Sequence, residues 1–198
     1  MAATSSALPT ISRRREGAML ILGLGGLLAA IATLYASPIE GVTDLGCGVR
    51  VLDCSKALGS AYGKVAGIPL GVLGGTYFVF WSLLVAAGRR SKTLGQRWAV
   101  TWTFSTGVAM SLTLLAILGF VIEAPCFWCL VTHACNLGAA ALWWPSRVWR
   151  MDRGELKAMV RIAAISAVVA CLAGWGFFQL YELRVARAEA AAKVKTIW

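Results

Sequence analysis

Long apolar segments, separated by short polar ones, make up most of this chain. Five of them contain no Asp, Glu, Lys or Arg, and each is close to the roughly 20 residues that a helix needs to cross a bilayer. They are residues 18–36, 67–87, 98–122, 126–144 and 162–180. The pattern predicts an all-α integral membrane protein, with a four-helix transmembrane bundle followed by a fifth transmembrane helix.

The polar segments define the predicted organisation. One loop, residues 37–66, is long enough to build structure of its own and contains two of the six cysteines. The others are short loops or tails that carry most of the Lys and Arg residues. We predict a cytoplasmic tail at 1–17, the bundle at 18–144, a basic cytoplasmic loop at 145–161, the fifth helix at 162–180 and an extracytoplasmic tail at 181–198.

Composition and charge narrow the class of protein. The 198 residues are 59% hydrophobic and 14% charged, with a mean hydropathy of +0.72. The net charge of +10 does not indicate nucleic-acid binding, because the basic residues are spread over loops and tails without stacking aromatics beside them. Twelve of the 19 Lys and Arg residues lie in segments on the same side of the membrane as the N-terminus. The positive-inside rule therefore puts that side in the cytoplasm and the cysteine pairs outside. We expect the basic loops to contact lipid headgroups.

The fourth apolar segment opens with a cysteine pair, Cys126-Phe127-Trp128-Cys129, directly after Pro125. The first N–H groups of a helix lack partners within it, and the helix dipole is positive there, so a thiolate is favoured over a thiol. This placement suits a redox-active pair. A structural disulfide, or half of a zinc site, is the alternative interpretation.

Cys47 and Cys54, in the long loop, are predicted to lie on the same face of the membrane. A thiolate in the loop can attack a disulfide of the CxxC pair and pass two electrons inward, and a lipid-soluble quinone is the natural acceptor. Phe127 and Trp128 are candidates to line the quinone pocket. The alternative for the loop pair is a disulfide that only staples the loop.

Asp53 lies beside Cys54. As a carboxylate it would raise the pKa of that thiol and slow its attack, whereas as a capping residue it would start a short helix in the loop. We prefer the capping interpretation.

The combined spacing of these residues resembles the vitamin K epoxide reductase family, in particular its bacterial branch. The pattern consists of Cys47, Cys54, Ser60, Gly67-Ile68-Pro69 and the run from Cys126 to Thr132, and the resemblance covers residues 18–144. It implies a four-helix bundle around a quinone of menaquinone, ubiquinone or vitamin K type. It also implies a multi-pass protein of the bacterial inner membrane whose cysteine pairs face the periplasm or exterior.

The resemblance assigns roles to the four cysteines. Cys129 acts on the quinone, Cys126 exchanges with Cys54, and Cys47 meets the partner protein. Members of the family often carry a fused thioredoxin-like domain after a fifth span, and this chain ends 18 residues after that span. The implied electron donor is therefore a separate periplasmic thioredoxin-fold oxidase.

The remaining candidates for quinone binding are Ser60, Thr132 and His133. The first two are singled out by the family spacing. Vertebrate members have Thr-Tyr-Ala after the CxxC pair, where this chain has Thr132-His133-Ala134. His133 is the only histidine and lies four residues after Cys129, on the same helix face. It is predicted to donate a hydrogen bond or proton to a quinone oxygen, the alternative being a structural bond to a neighbouring helix.

A rival function is that of a membrane protein that binds or transports a soft metal ion through its thiol pairs. A carrier of this kind needs further thiols along its path. Cys135 and Cys171 lie inside predicted spans, and we interpret both as buried apolar residues without a redox role. The enzyme interpretation involves no metal ion.

Overall fold

The computed structural model describes residues 11–37, 52–88, 93–147 and 156–195, and within these ranges the chain is almost entirely helical. Cys47 lies outside the described residues. The helices are α1 Arg13–Ala36, α2 Cys54–Gly59, α3 Leu70–Gly88, α4 Leu94–Ala116, α5 Phe127–Trp143 and α6 Leu156–Lys195. Helices α1, α3, α4 and α6 are long and apolar enough to cross a membrane, and α5 is a shorter apolar helix of 17 residues. The predicted all-α membrane fold is confirmed.

Side-chain caps fix where three of the helices begin. Ser12 accepts a hydrogen bond from the N–H of Arg15 before α1, and Thr93 does the same for the N–H of Gln96 before α4. Asp53 caps α2 through a bond of 2.8 Å from the N–H of Lys56. Each cap satisfies one of the N–H groups that the first turn leaves without a helical partner.

A short β-hairpin joins the loop to α3. Lys64–Val65 pairs with Ile68–Pro69, and the two turn residues, Ala66 and Gly67, have φ angles of 51° and 83°. Positive φ at both positions is the signature of a type I′ turn, which matches the twist of the paired strands. The helix consequently begins at Leu70, three residues later than the apolar pattern predicts.

Helix α4 does not end as a regular α-helix. Its last turns, Ile117–Ile122, are π-helical, and Glu123 then adopts a left-handed conformation with φ of 51°. Cys126 is extended, with φ of −104° and ψ of 123°, so α5 begins one residue later, at Phe127. Cys126 is therefore the N-cap of α5, whereas the sequence had suggested the first helical turn.

The main apolar core lies at the end of the bundle away from the cysteine pair. Its largest fully buried side chains are Phe78 and Trp81 of α3 and Phe104 of α4, and the ring of Trp143 of α5 packs at a tilt against Phe104. Gly26 of α1 makes this packing possible, because a Cβ at that position would overlap the ring of Phe78. Glycine thus allows α1 and α3 to approach closely.

Helix α6 is longer than the predicted fifth span, with 40 residues, and packs against α3 and α4. Phe177 lies over Gly75 of α3. Farther along, the guanidinium of Arg184 donates hydrogen bonds to the carbonyls of Leu34 and Tyr35, which are among the last carbonyls of α1 and have no helical partners. The continuation of α6 beyond residue 180 therefore braces the end of α1.

Candidate active site

The sulfur atoms of Cys54 and Cys126 lie next to each other. Their Sγ atoms are 3.3 Å apart, although 72 residues separate them in sequence. Cys54 is in a disulfide, whereas Cys126 and Cys129 are free thiols. A sulfur in contact with a disulfide sulfur is the starting arrangement for thiol–disulfide exchange, which passes through a mixed disulfide.

A backbone hydrogen bond sets this contact. The N–H of Asp53 donates to the carbonyl of Pro125 at 3.1 Å, which pairs the residue before Cys54 with the residue before Cys126. Both sulfurs are then enclosed in an apolar cluster, in which Cys54 is 2% and Cys126 0% exposed. The cluster is completed by Ala36, Ala57, Leu58 and Leu118, with Ile122, Trp128 and Cys129 at its edge. Exchange between these sulfurs is thus shielded from bulk water.

Cys126 and Cys129 share the first turn of α5. The N–H of Cys129 points at the Sγ of Cys126 from 3.4 Å, so Cys126 acts as a sulfur N-cap. A backbone N–H at a helix N-terminus stabilises negative charge, so this position favours a thiolate. Cys129 is half-buried, packs at the edge of the apolar cluster and lines a cavity.

The cavity has a volume of about 220 Å³ and is lined by residues of α1, α2, α3, α4 and α5. Most of its surface is apolar. The largest apolar side chains that line the cavity are Leu58, Leu70, Leu73, Phe78, Met110 and Leu114. An apolar pocket with a thiol in its wall suits a hydrophobic ring as ligand.

Polar side chains are confined to a few positions of this wall. They are Thr33, Tyr77, Ser111, Thr132, His133 and Asn136. On α5 the lining residues Cys129, Thr132, His133 and Asn136 follow a spacing of three, four and seven residues, which places them along one helix face. A ligand in the cavity would therefore meet the thiol and the polar groups together.

A protein-family model described as the vitamin K epoxide reductase family matches residues 18–144. The chain belongs to this family. No curated protein sequence matches the chain. Membership makes the chain a membrane oxidoreductase of the thiol–disulfide and quinone type, the general activity of the vitamin K epoxide reductase family. The matched region contains every residue described above for the cysteine contact and the cavity.

The structure brings together only some of the residues predicted for quinone binding. Thr132 and His133 line the cavity with Cys129. Phe127 and Trp128 lie on other faces of α5, where their rings stack edge to face with centroids 5.1 Å apart. Ser60 follows α2 and donates a hydrogen bond to the carbonyl of Ala57 at 2.8 Å, outside the cavity lining.

Four polar residues of the cavity did not emerge from the sequence. They are Thr33 of α1, Tyr77 of α3, Ser111 of α4 and Asn136 of α5, and the last three are joined by hydrogen bonds of 2.8 Å. The available signal was the position of Asn136, three residues after His133 inside an apolar span. An amide there needs a partner from another helix, because an unpaired polar group in a membrane is costly.

Proposed function

We propose that this protein is a thiol–quinone oxidoreductase that reoxidises a separate periplasmic thioredoxin-fold disulfide oxidase. Electrons pass from Cys47 and Cys54 to Cys126 and Cys129 and then to a membrane quinone, so that the protein supports disulfide bond formation. The observation that carries the proposal is the contact of Cys54 with Cys126, with Cys129 of the same pair in the wall of an apolar cavity.

The relay begins with Cys47 and Cys54 reduced by the partner and with Cys126 and Cys129 joined as a disulfide. The Cys54 thiolate attacks the sulfur of Cys126, which forms the mixed disulfide and releases Cys129 as a thiolate. The Cys47 thiolate then attacks Cys54 and releases Cys126. The result is a disulfide at Cys54 and two free thiols at the CxxC pair, the same redox arrangement that the structure has.

In the second half of the relay, the two thiols of the CxxC pair are oxidised back to a disulfide. When Cys126 and Cys129 form their disulfide again, the two thiols give up two electrons and two protons, and a quinone bound in the cavity would accept both and leave as a hydroquinone. In the proposed site Cys129 faces the quinone, because it lines the cavity while Cys126 faces Cys54. His133 is the proposed hydrogen-bond donor to a quinone oxygen.

The proposed location is the bacterial inner membrane, with Cys47 and the CxxC pair on the periplasmic or outer face. The distribution of Lys and Arg supports this orientation. A disulfide-forming function also requires it, since structural disulfides persist in oxidising compartments.

The test is quinone reduction by the purified full chain, with either dithiothreitol or a reduced thioredoxin-fold oxidase as donor. We expect Cys129→Ala to be inactive with both donors, and Cys54→Ala to lose activity only with the protein donor. Cys135→Ala is the matched control, because Cys135 lies on the same helix and keeps its thiol free outside the cavity lining.

Two results would contradict the proposal. One is a wild-type protein that reduces neither a menaquinone nor a ubiquinone analogue but is purified with stoichiometric thiol-bound metal, which would favour the soft-metal function. The other is full activity of Cys129→Ala, which would remove the CxxC pair from the reaction.

A further inference from the structure

Three side chains from three different helices form a continuous hydrogen-bonded chain that ends on His133. The hydroxyl of Tyr77 donates to Oδ1 of Asn136 at 2.8 Å, and Nδ2 of Asn136 donates to Oγ of Ser111 at 2.8 Å. Oγ of Ser111 lies 3.1 Å from Nδ1 of His133. The chain therefore connects α3, α4 and α5 along the wall of the cavity.

The hydrogen-bonded side chains are buried or half-buried, and the neighbouring helix leaves space for one of them. Asn136 is 3% and Ser111 4% exposed, so both are almost fully buried among the helices. Gly107 leaves the space that the Tyr77 hydroxyl fills, because a Cβ at position 107 would overlap that oxygen. Buried polar groups in a membrane bundle are retained when they are paired, and here each pairs with the next.

The donors and acceptors fix the direction of each bond in this hydrogen-bonded chain. The amide Nδ2 of Asn136 can only donate, so Ser111 is the acceptor in that bond and still has its own hydrogen. Nδ1 of His133 is the only other hydrogen-bond partner of Ser111 in the part of the chain that the structure describes. If Nδ1 carried a proton, Ser111 would accept twice and its hydrogen would have no acceptor there. All groups are satisfied when Ser111 donates to an unprotonated Nδ1.

We infer that Tyr77, Asn136 and Ser111 are positioning residues that hold His133 in its neutral form with the proton on Nε2. Nδ1 is then occupied by Ser111, and Nε2–H is the ring group left for a ligand. His133 lines the cavity with Cys129, so this N–H is the donor for a carbonyl oxygen of the quinone. The last step rests on the proposed function, whereas the tautomer itself does not.

The single histidine makes the tautomer directly measurable. Full-length protein labelled with ¹⁵N-histidine, in detergent and without quinone, gives one pair of imidazole nitrogen signals, which belong to His133. At about pH 9, above the ordinary pKa of imidazole of about 6.5, we expect the wild type to show the Nε2–H form. Ser111→Ala should lower the ratio of Nε2–H to Nδ1–H about fivefold, the factor that corresponds to one hydrogen bond of about 1 kcal/mol.

Two control variants separate this effect from a general disturbance. Ser111→Thr keeps the hydroxyl and should restore the wild-type ratio. Ser105→Ala removes a serine from the same helix, whose hydroxyl donates to the carbonyl of Thr101 at 2.9 Å, and should leave the ratio unchanged. A wild type in the Nδ1–H form, or a ratio that Ser111→Ala does not change, would overturn the inference.

Quinone reduction with dithiothreitol gives the functional readout. Ser111→Ala should raise the KM for quinone, and in a His133→Phe background the same substitution should have no further effect. An additional loss in that background would show that Ser111 acts independently of His133 and would overturn the positioning role. A wild type that shows the Nε2–H form but reduces no quinone would instead refute the proposed function and leave the tautomer assignment supported.

Discussion

Removing the cap of α2 should slow electron transfer from a protein donor without affecting a small thiol. Asp53 holds the first turn of α2 through its side chain, and its backbone N–H joins the loop to Pro125. The Asp53→Ala variant loses the side-chain cap and keeps the backbone N–H. Helix α2 carries Cys54, so a less stable α2 spends less time with that sulfur against Cys126.

The size of the effect follows from the cost of losing a cap. Replacing a capping Asp by Ala costs about 1 kcal/mol. A change of that size lowers the ratio of docked to undocked α2 about fivefold, and this is the largest decrease expected in the rate with a reduced thioredoxin-fold donor. Dithiothreitol can reduce the CxxC pair without α2, so the rate with that donor should not change.

The Asp53→Asn variant decides between the cap and the charge of this residue. Asn caps helices as well as Asp does but has no charge, so the rate should stay at the wild-type value. If the carboxylate instead acted by slowing the attack of Cys54, both variants would be faster than wild type. Equal acceleration of Asp53→Ala and Asp53→Asn, measured as quinone reduction with the protein donor, would refute the capping argument.

Two further perturbations test the geometry of the site and of the bundle. In Cys47→Ser the thiol that attacks Cys54 and releases Cys126 is absent, so a mixed disulfide of Cys54 with Cys126 should accumulate, and non-reducing peptide mapping should detect it. A link from Cys54 to Cys129 or Cys135 instead would contradict the contact. Arg184→Met removes two charge-assisted hydrogen bonds to the end of α1 and should lower the melting temperature in detergent by a few degrees at most, because Arg184 is partly exposed. Arg187→Met, on the exposed side of α6, should leave the melting temperature unchanged. Equal losses in the two variants would argue against the brace.

The apolar pattern was sufficient to predict the helical membrane fold, because a bilayer demands long apolar helices and little else spans it. The spacing of the cysteines, the Gly-Ile-Pro run and the CxxC pair was enough to place the chain in its family. The exact ends of the helices were harder to predict from the sequence. The apolar run shows neither the turn at Ala66 and Gly67 nor the π-helical end of α4, because both depend on local backbone geometry inside an apolar sequence.

The polar side of the cavity could not be derived from local patterns. Ser111 and Asn136 are 25 residues apart and meet only because α4 and α5 pack together, and Tyr77 joins them from α3. Each is an isolated polar residue in an apolar run, so the sequence does not reveal its partner. Phe127 falls off the cavity face for a simpler reason, since it lies two residues before Cys129 and helical faces repeat every three to four residues. Trp128 instead packs at the edge of the apolar cluster around Cys54 and Cys126.

The π-helical segment Ile117–Ile122 fits one more residue into its turns than a regular α-helix would. Its Leu118 and Ile122 side chains pack under the Cys54–Cys126 contact, and Pro125 follows three residues later. Winding the same six residues as a regular α-helix would rotate everything that follows by about 100°, turning the carbonyl of Pro125 away from Asp53. Over evolutionary time this segment can exchange one apolar side chain for another, but the Cys54–Cys126 contact requires it to keep its π geometry.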